Sequence, residues 1–558
     1  MAKTIKIGAY ANNDDAMIVW KYNYKIKDCW GFAVFRKRKG ETDAEAEPLI
    51  TSVGFEGDTH TEGETHPSTE WPIQKYNWVD YAVRTGDEIC YKVIPMINVA
   101  GVLKKDSGNA SNWSKWVKVG DPAGVEAYFN RGLISSQFVV RSLHNIPEAE
   151  RKKALLKNLD DVNSQLRNFM GGNLMFALYK LLDEVKQNKS LKLYTALYEL
   201  NEKELIKRLN AIGKRASIIL ANGAFGPDDN DPQLENAKKL TNVNLTRRIV
   251  SSGHFAHNKF VVITDKSSGT EVPVKVLTGS TNWTRNGVFT QINNALILHD
   301  KEVAAYYKKE WDTMLADSDA NGKGLYGKPF KKFNSTLKKN TSGKIRTYFT
   351  PVPKQIDMDE ADALINGAKK GVIFLMFKPG NEKSRTLYTT VKALAAARKD
   401  LLVHGVINAD PGGKKNPTID FMNKNKIEPG DLDVVLPAGI NENFQFWMNE
   451  VGKQNVTIHS KAIVIDPFGT RPILITGSHN MGQKASKAND DNLNIIEGNP
   501  ELAQAYAIHM LAVYHHYRWR FYRSKKTSLP KWDGNIKKED WQDWYSKGDK
   551  KKELDFWI

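Results

Sequence analysis

The 558-residue sequence predicts an α/β protein: two similar α/β-sandwich halves forming a pseudo-dimer, preceded by a small β-sandwich. Three observations predict it. The first 122 residues read as short strands rich in aromatic and β-branched types. Beyond Asp121-Pro122 the hydrophobic period lengthens from two to about 3.6, and helices then alternate with strands. Finally, one succession of elements occurs twice and ends each time in the same short polar signature.

In the first region, strands are expected at Met17–Trp20, Gly31–Arg36, Thr69–Trp71, Trp78–Val83, Glu88–Val93 and Trp113–Val119. Gly54, Gly57, Gly63, Gly86 and Gly101 mark the turns between them. A region of this size and pattern suggests a fibronectin type III-like sandwich with an accessory role. Glu148–Asn168 reads as one charged amphipathic helix opened by Pro147, and Met175–Gln187 as a second. The first half continues through strand Leu191–Tyr198, helix Glu202–Ile212 and strand Ala216–Ala221. The second half repeats this as helix Asp359–Lys370, strand Val372–Phe377, helix Ser384–Arg398 and strand Leu401–Asn408. The expected division is 1–122 for the sandwich, 123–342 for the first half and 343–558 for the second with a C-terminal extension.

The formal net charge is +17, but residues 1–122 carry −1, so the remainder holds +18. A strongly basic catalytic portion suits an anionic ligand such as a phospholipid, a membrane surface or nucleic acid. Cys29 and Cys90 are too few for a disulfide scaffold or a metal cluster and are expected to be free and buried. The N-terminus has no apolar signal region, and no apolar stretch approaches membrane-spanning length. The expected location is the cytoplasm, or outside the cell after export without a cleavable signal.

The first signature is His257-Asn258-Lys259 followed by an apolar run to Asp265, then Gly279-Ser280-Thr281-Asn282. The second is His459-Ser460-Lys461 followed by an apolar run to Asp466, then Gly477-Ser478-His479-Asn480. Residues two apart on a strand share a face, so each histidine and its lysine are expected to project together. Each Gly-Ser-x-Asn follows a further strand, where glycine permits close backbone approach and Ser and Asn can donate hydrogen bonds.

This doubled pattern resembles the HxK…GSxN signatures of the phospholipase D superfamily over roughly residues 123–525. The resemblance implies two phospholipase D-like halves and metal-independent phosphodiester cleavage through a phosphohistidine, with no cofactor. Lys259, Lys461, Asn282, Asn480, Ser280 and Ser478 are then the phosphate-binding set, and their charge and donors meet what accumulates on the transferring phosphoryl group. By family analogy His257 is the nucleophile and His459 the general acid/base. Family members often add a carboxylate that orients each histidine. Asp491 fits that place in the second half, whereas the first half has Gln291-Ile292-Asn293-Asn294. A carboxylate stabilises an imidazolium better than an amide does, so the asymmetry suggests that His459, in the half with Asp491, carries the proton. Asp466 and Asn293 are expected as supporting residues. Asp265 comes one residue late compared with Asp466, so it should face the other side and mark a strand end or a bulge.

Among the remaining features, His254 reads as a loop histidine near the cleft, and Phe444–Trp447 as core or as an aromatic lipid contact. Tyr514–Arg523 reads as a packed helix with snorkelling arginines, and Lys531–Ile558 as a surface wrap. The organisation favours a phospholipase D acting on glycerophospholipids as a monomer. The alternative is a nuclease on DNA or RNA using the same chemistry, for which Gly412-Gly413-Lys414-Lys415 would serve. A third reading is a non-catalytic lipid- or nucleic-acid-binding module, which eight retained motif residues argue against.

Overall fold

The computed structural model describes the chain outside residues 1–2, 60–63, 122–123, 133–138, 140–141, 144, 225–230, 382, 410, 412–432, 436–457 and 525–533. Phe444–Trp447 and Gly412–Lys415 therefore lie outside the described residues.

The N-terminal region forms two antiparallel sheets. Ile5–Ala11, Ala16–Tyr22 and Asn77–Asp80 make the smaller one; Val117–Lys118, Glu88–Val99, Cys29–Arg38 and Glu47–Pro48 make the larger, with Val102–Lys105 paired onto Glu88–Val99. Trp20, Phe32, Tyr76 and Tyr91 fill the space between them, and Cys29 and Cys90 are buried and free. Two expectations need correction. Thr69–Trp71 is a turn, because the Glu70 and Trp71 amides both bond back to the Pro67 carbonyl. Lys531–Ile558 does not simply wrap the surface: Trp541 and Leu554 complete this core, and the Trp541 indole donates to the Cys29 carbonyl.

The repeat seen in the sequence becomes a repeated sheet. Seven strands of the first half lie in the order Val125–Phe129, Asn294–Leu298, Val272–Gly279, Lys259–Asp265, Leu191–Leu197, Ala216–Ala221, Asn244–Arg248. The second half places Ile345–Phe349, Asn492–Glu497, Ile473–Gly477, Ala462–Ile465, Gly371–Met376, Leu402–Ile407 and Asp433–Val435 in the same order, with Lys338–Lys339 added at one edge. In both sheets the last two pairings are parallel and the others of the shared order antiparallel. The central strands are apolar on both faces, as strands covered on both sides must be.

The predicted helix Glu148–Asn168 is two elements. Glu148–Asp160 stops at Asp161, and Ser164 caps a new helix, Gln165–Gln187, by accepting from the Arg167 amide. An Asp/Asn/Ser run offers the backbone local hydrogen bonds that compete with helix continuation, which is why the apolar period alone misleads there.

Each half ends in a helix that reaches the other half. On Lys301–Ala316, Tyr307 donates toward Asn492 and Asn494; on Pro500–Ser524, Tyr506 accepts from Asn294. Tyr514 and Tyr517 on the latter helix are buried, as packing predicts. A second fastening is ionic. The fully buried Arg248 of the first half donates from Nε to Asp490 of the second at 2.5 Å and from Nη2 to Asp317 at 3.1 Å. Removing the guanidinium would leave two buried carboxylates facing each other, so Arg248→Met is expected to destabilise the fold by about 3–5 kcal/mol. A denaturation midpoint unchanged from the parent would contradict this.

Among the described residues no helix is long and apolar enough to cross a membrane.

Candidate active site

Each histidine stands where its half meets the other. His257 immediately precedes the strand Lys259–Asp265, and His459 lies just before Ala462–Ile465. The main chain just before His257 is tied to the second half, since the Asp490 amide donates to the Phe255 carbonyl. The main chain at His459 is tied to the first half, since the His459 and Ser460 amides both donate to the Ile292 carbonyl. The segments that carry the acceptors for the two rings are thus held against the opposite motif.

The ring partners are consequently exchanged. His257 Nδ1 donates to Asp491 Oδ1 at 2.7 Å, and His459 Nδ1 donates to Asn293 Oδ1 at 3.0 Å. This overturns the expectation that Asp491 serves the histidine of its own half: the carboxylate belongs to His257, and His459 has the amide. Asn293 is fixed in orientation because its Nδ2 donates to the Gly287 carbonyl at 2.9 Å. The motif serines secure both acceptors. Ser280 Oγ donates to Asn293 Oδ1 at 2.7 Å, and Ser478 Oγ donates to Asp491 Oδ1 at 2.6 Å. Ser280 and Ser478 therefore support the ring partners, in place of the phosphate contacts expected from the motif.

The lysines repeat the symmetry. Lys259 Nζ donates to the His257 carbonyl and Lys461 Nζ to the His459 carbonyl, each at 2.6 Å. Lys259 lies 4.7 Å from the Tyr198 ring centre and Lys461 4.9 Å from that of Phe377. The same two rings pack against His257 and His459, at 4.7 and 4.9 Å. Tyr198 and Phe377 are site residues that the motifs do not contain; each directly follows the strand that pairs with the motif strand of its half, and this common position in the repeat is the available signal.

The four groups share one electrostatic field. Burial, then Lys259, lowers the His257 imidazole, and despite Asp491 it settles at about 4. Burial, then Lys461, Lys259 and His257 itself, drives His459 well below its usual value. Burial brings Lys259 down to about 7 against the pull of Asp491 and Glu199, and burial with Lys259 lowers Lys461 strongly. Burial alone would raise the Asp491 carboxyl, but His257 and its neighbours pull it down to about 2. Two buried lysines whose ammonium forms lack sufficient counter-charge favour the entry of an anion, which would stabilise their protonated state.

The supporting acids are structural. Asp466 accepts from the Lys369, Lys370 and Gly371 amides and so anchors the start of strand Gly371–Met376. Asp265 ends its strand beyond a bulge at Ile263/Thr264, where it accepts from the Ser267 amide and hydroxyl, while Thr264 points inward to Glu271. His254 joins the halves through the Ala488 carbonyl at 2.5 Å. Among the described residues no group of His, Cys, Asp and Glu could hold a metal ion.

Paired imidazoles and lysines that act on one another across two copies of one α/β fold define an enzyme class that works on phosphodiesters through two half-sites. A family model described as "Cardiolipin synthase, PLD-like domain" matches residues 181–315 and 362–513, together just over half of the sequence. The chain belongs to the phospholipase D superfamily. Among solved structures it is similar to phosphatidylserine synthase from Haemophilus influenzae Rd KW20, at 11% identity over 66% of this chain and 91% of that one, TM-score 0.42. It is also similar to polyphosphate kinase from Porphyromonas gingivalis, at 9% identity over 91% and 76%, TM-score 0.41. A phospholipase D family member, Nuc from Salmonella typhimurium, aligns at 20% identity over 31% and 94%, TM-score 0.22. No curated protein sequence matches the chain.

Proposed function

We propose that this chain cleaves phosphodiesters through a covalent phosphohistidine on His257, with His459 as general acid/base, and that it acts as a phospholipase D on glycerophospholipids. The observation that carries the assignment of roles is the His257–Asp491 hydrogen bond. Donation from Nδ1 leaves the lone pair on Nε2, and the carboxylate stabilises the positive charge that the ring acquires when Nε2 bonds to phosphorus. The roles are those expected from family analogy, but the charge asymmetry supports them for the opposite reason.

His459 has only an amide at Nδ1, which makes its protonated form the stronger acid and the readier donor to a departing oxygen. Burial and the neighbouring lysines hold its imidazole low, so the proton would be secured as the phosphate anion enters and offsets their charge. Lys259, Lys461 and the amides of Asn282 and Asn480 would hold the non-bridging oxygens. In the second step His459 takes a proton from water, or from an alcohol, which then displaces His257.

A lipid substrate is supported by the presence of both motifs in one chain and by the half-buried Phe255 and exposed Lys484, 4.0 Å from ring centre to ammonium, beside the cleft. The basic charge outside residues 1–122 keeps a nucleic-acid substrate as the second reading. Choline or ethanolamine release from phosphatidylcholine or phosphatidylethanolamine vesicles in EDTA is expected, with transfer to an added primary alcohol. Nicking of plasmid or single-stranded DNA without lipid cleavage would favour the second reading. A strict need for a divalent ion would defeat the mechanism.

A further inference from the structure

The two half-sites also differ directly after Tyr198 and Phe377, at a place that neither motif includes. In the first half, Glu199 follows Tyr198; in the second, Lys378 follows Phe377. The backbone around Glu199 is held from both sides. The Tyr198 amide donates to the Asn258 carbonyl at 3.0 Å, and the Asn201 amide donates to the Trp283 carbonyl at 3.0 Å. Leu200 and Trp283 form a further β-bridge. Glu199 thus sits between the segment bearing Lys259 and the segment bearing Asn282. Its Oε2 accepts from Asn282 Nδ2 at 2.8 Å, and its charge acts on Lys259.

We infer that Glu199 is a positioning residue of the phosphate clamp, orienting the Asn282 amide and keeping Lys259 charged, and that this makes the two half-sites functionally unequal. The inference rests on the reading of the cleft as a phosphodiester site. An amide donating one N–H to a fixed carboxylate keeps its other N–H available to a ligand, and cannot turn its oxygen toward that carboxylate. A carboxylate also offsets part of the cost of holding an ammonium in a buried place. Burial raises the Glu199 carboxyl above its ordinary value, while the charge of Lys259 and the hydrogen bond from Asn282 act in the opposite direction and favour the carboxylate.

The groups that act on Lys259 or feel its charge are Glu199 and Asp491, which favour its charge, and Lys461, His257 and His459, together with the Tyr198 ring. Among the described residues the second half has no carboxylate in the place of Glu199, where Lys378 stands. Asp491 acts on both lysines, so Lys259 has a counter-charge that Lys461 does not share, and Lys461 draws more on an incoming phosphate.

The test is binding of inorganic phosphate, measured by calorimetry from pH 5.5 to 9, on the full chain and on Glu199→Gln, Lys259→Met and the double variant. Glu199→Gln is isosteric and removes the charge alone. It is expected to weaken phosphate about tenfold near neutral pH and to move the alkaline loss of binding to lower pH by about one unit, the equivalence of one pKa unit to a tenfold change. In the Lys259→Met background the same substitution should change affinity less than twofold, and Glu199→Asp should restore much of the pH profile. Equal losses from Glu199→Gln in both backgrounds, or a profile superimposable on the parent, would overturn the inference. Phosphate binding requires no turnover. A chain that binds phosphate in this pattern yet cleaves no diester would sink the proposed function and leave Glu199 standing, whereas turnover with additive losses would sink Glu199 alone.

Discussion

Alanine at His257 is expected to lower turnover by at least about three orders of magnitude, since loss of the nucleophile removes the covalent route. Packing should survive, because the His257 side chain contributes ring contacts to Tyr198 and Phe255 and a hydrogen bond to Asp491. The informative comparison is with His459→Ala. An acid is needed most when the leaving oxygen is basic, so this variant should fail on an alkyl diester yet still release nitrophenol from a nitrophenyl diester in a single burst. It should then stall as a phosphoenzyme, detectable as acid-labile, base-stable label on His257. Label on His459 in the His257→Ala variant, or multiple turnovers by that variant, would exchange the two roles.

Asp491→Asn is expected to cost about 10²–10⁴-fold in kcat, the range seen when a carboxylate that fixes a catalytic imidazole becomes an amide. The substituted amide can present its NH2 to Nδ1, which places the proton on Nε2 and removes the lone pair from the attacking position. Steady-state kinetics at saturating substrate measures the loss. An effect below about tenfold would mean that Asp491 is a packing residue. The same site predicts an acid-sensitive fold. Asp491, held at about 2, contributes stability that is present above its ordinary carboxylate range and lost as pH falls toward 2. His257, held near 4, is buried neutral, so protons favour the unfolded chain as pH falls from the ordinary imidazole value toward 4. Both slopes have the same sign, and the thermal midpoint should fall on acidification below about pH 6.5.

The residues that could be read in advance are those whose meaning is local. His257 with Lys259, and His459 with Lys461, are two positions apart on a chain that must be extended there, so their common direction follows from strand geometry. The repeat of strands around them was legible for a similar reason: each apolar run, such as Val372–Phe377, nearly coincides with an observed strand, Gly371–Met376. Which carboxylate serves which ring was not legible. Asp491 and His257 are 234 positions apart, Asn293 and His459 are 166 apart, and only the crossing of the two halves decides the pairing. Glu199 was missed because a single glutamate after a strand has no pattern; its role arises from being fastened between two separate motif segments. The helix break at Asp161–Ser164 is marked by its capping residues, but the apolar period runs on through it and hides the cap.

The return of the C-terminal segment to the first sheets also bears on how the molecule is made. Trp541 bonds to Cys29 across 512 positions, and Gln542 bonds to Ile26 across 516. A nascent polypeptide leaving the ribosome exposes its amino-terminal strands first, yet the indole that plugs them emerges only after both later halves have been translated. Sheets translated before the two later halves are therefore completed only after them.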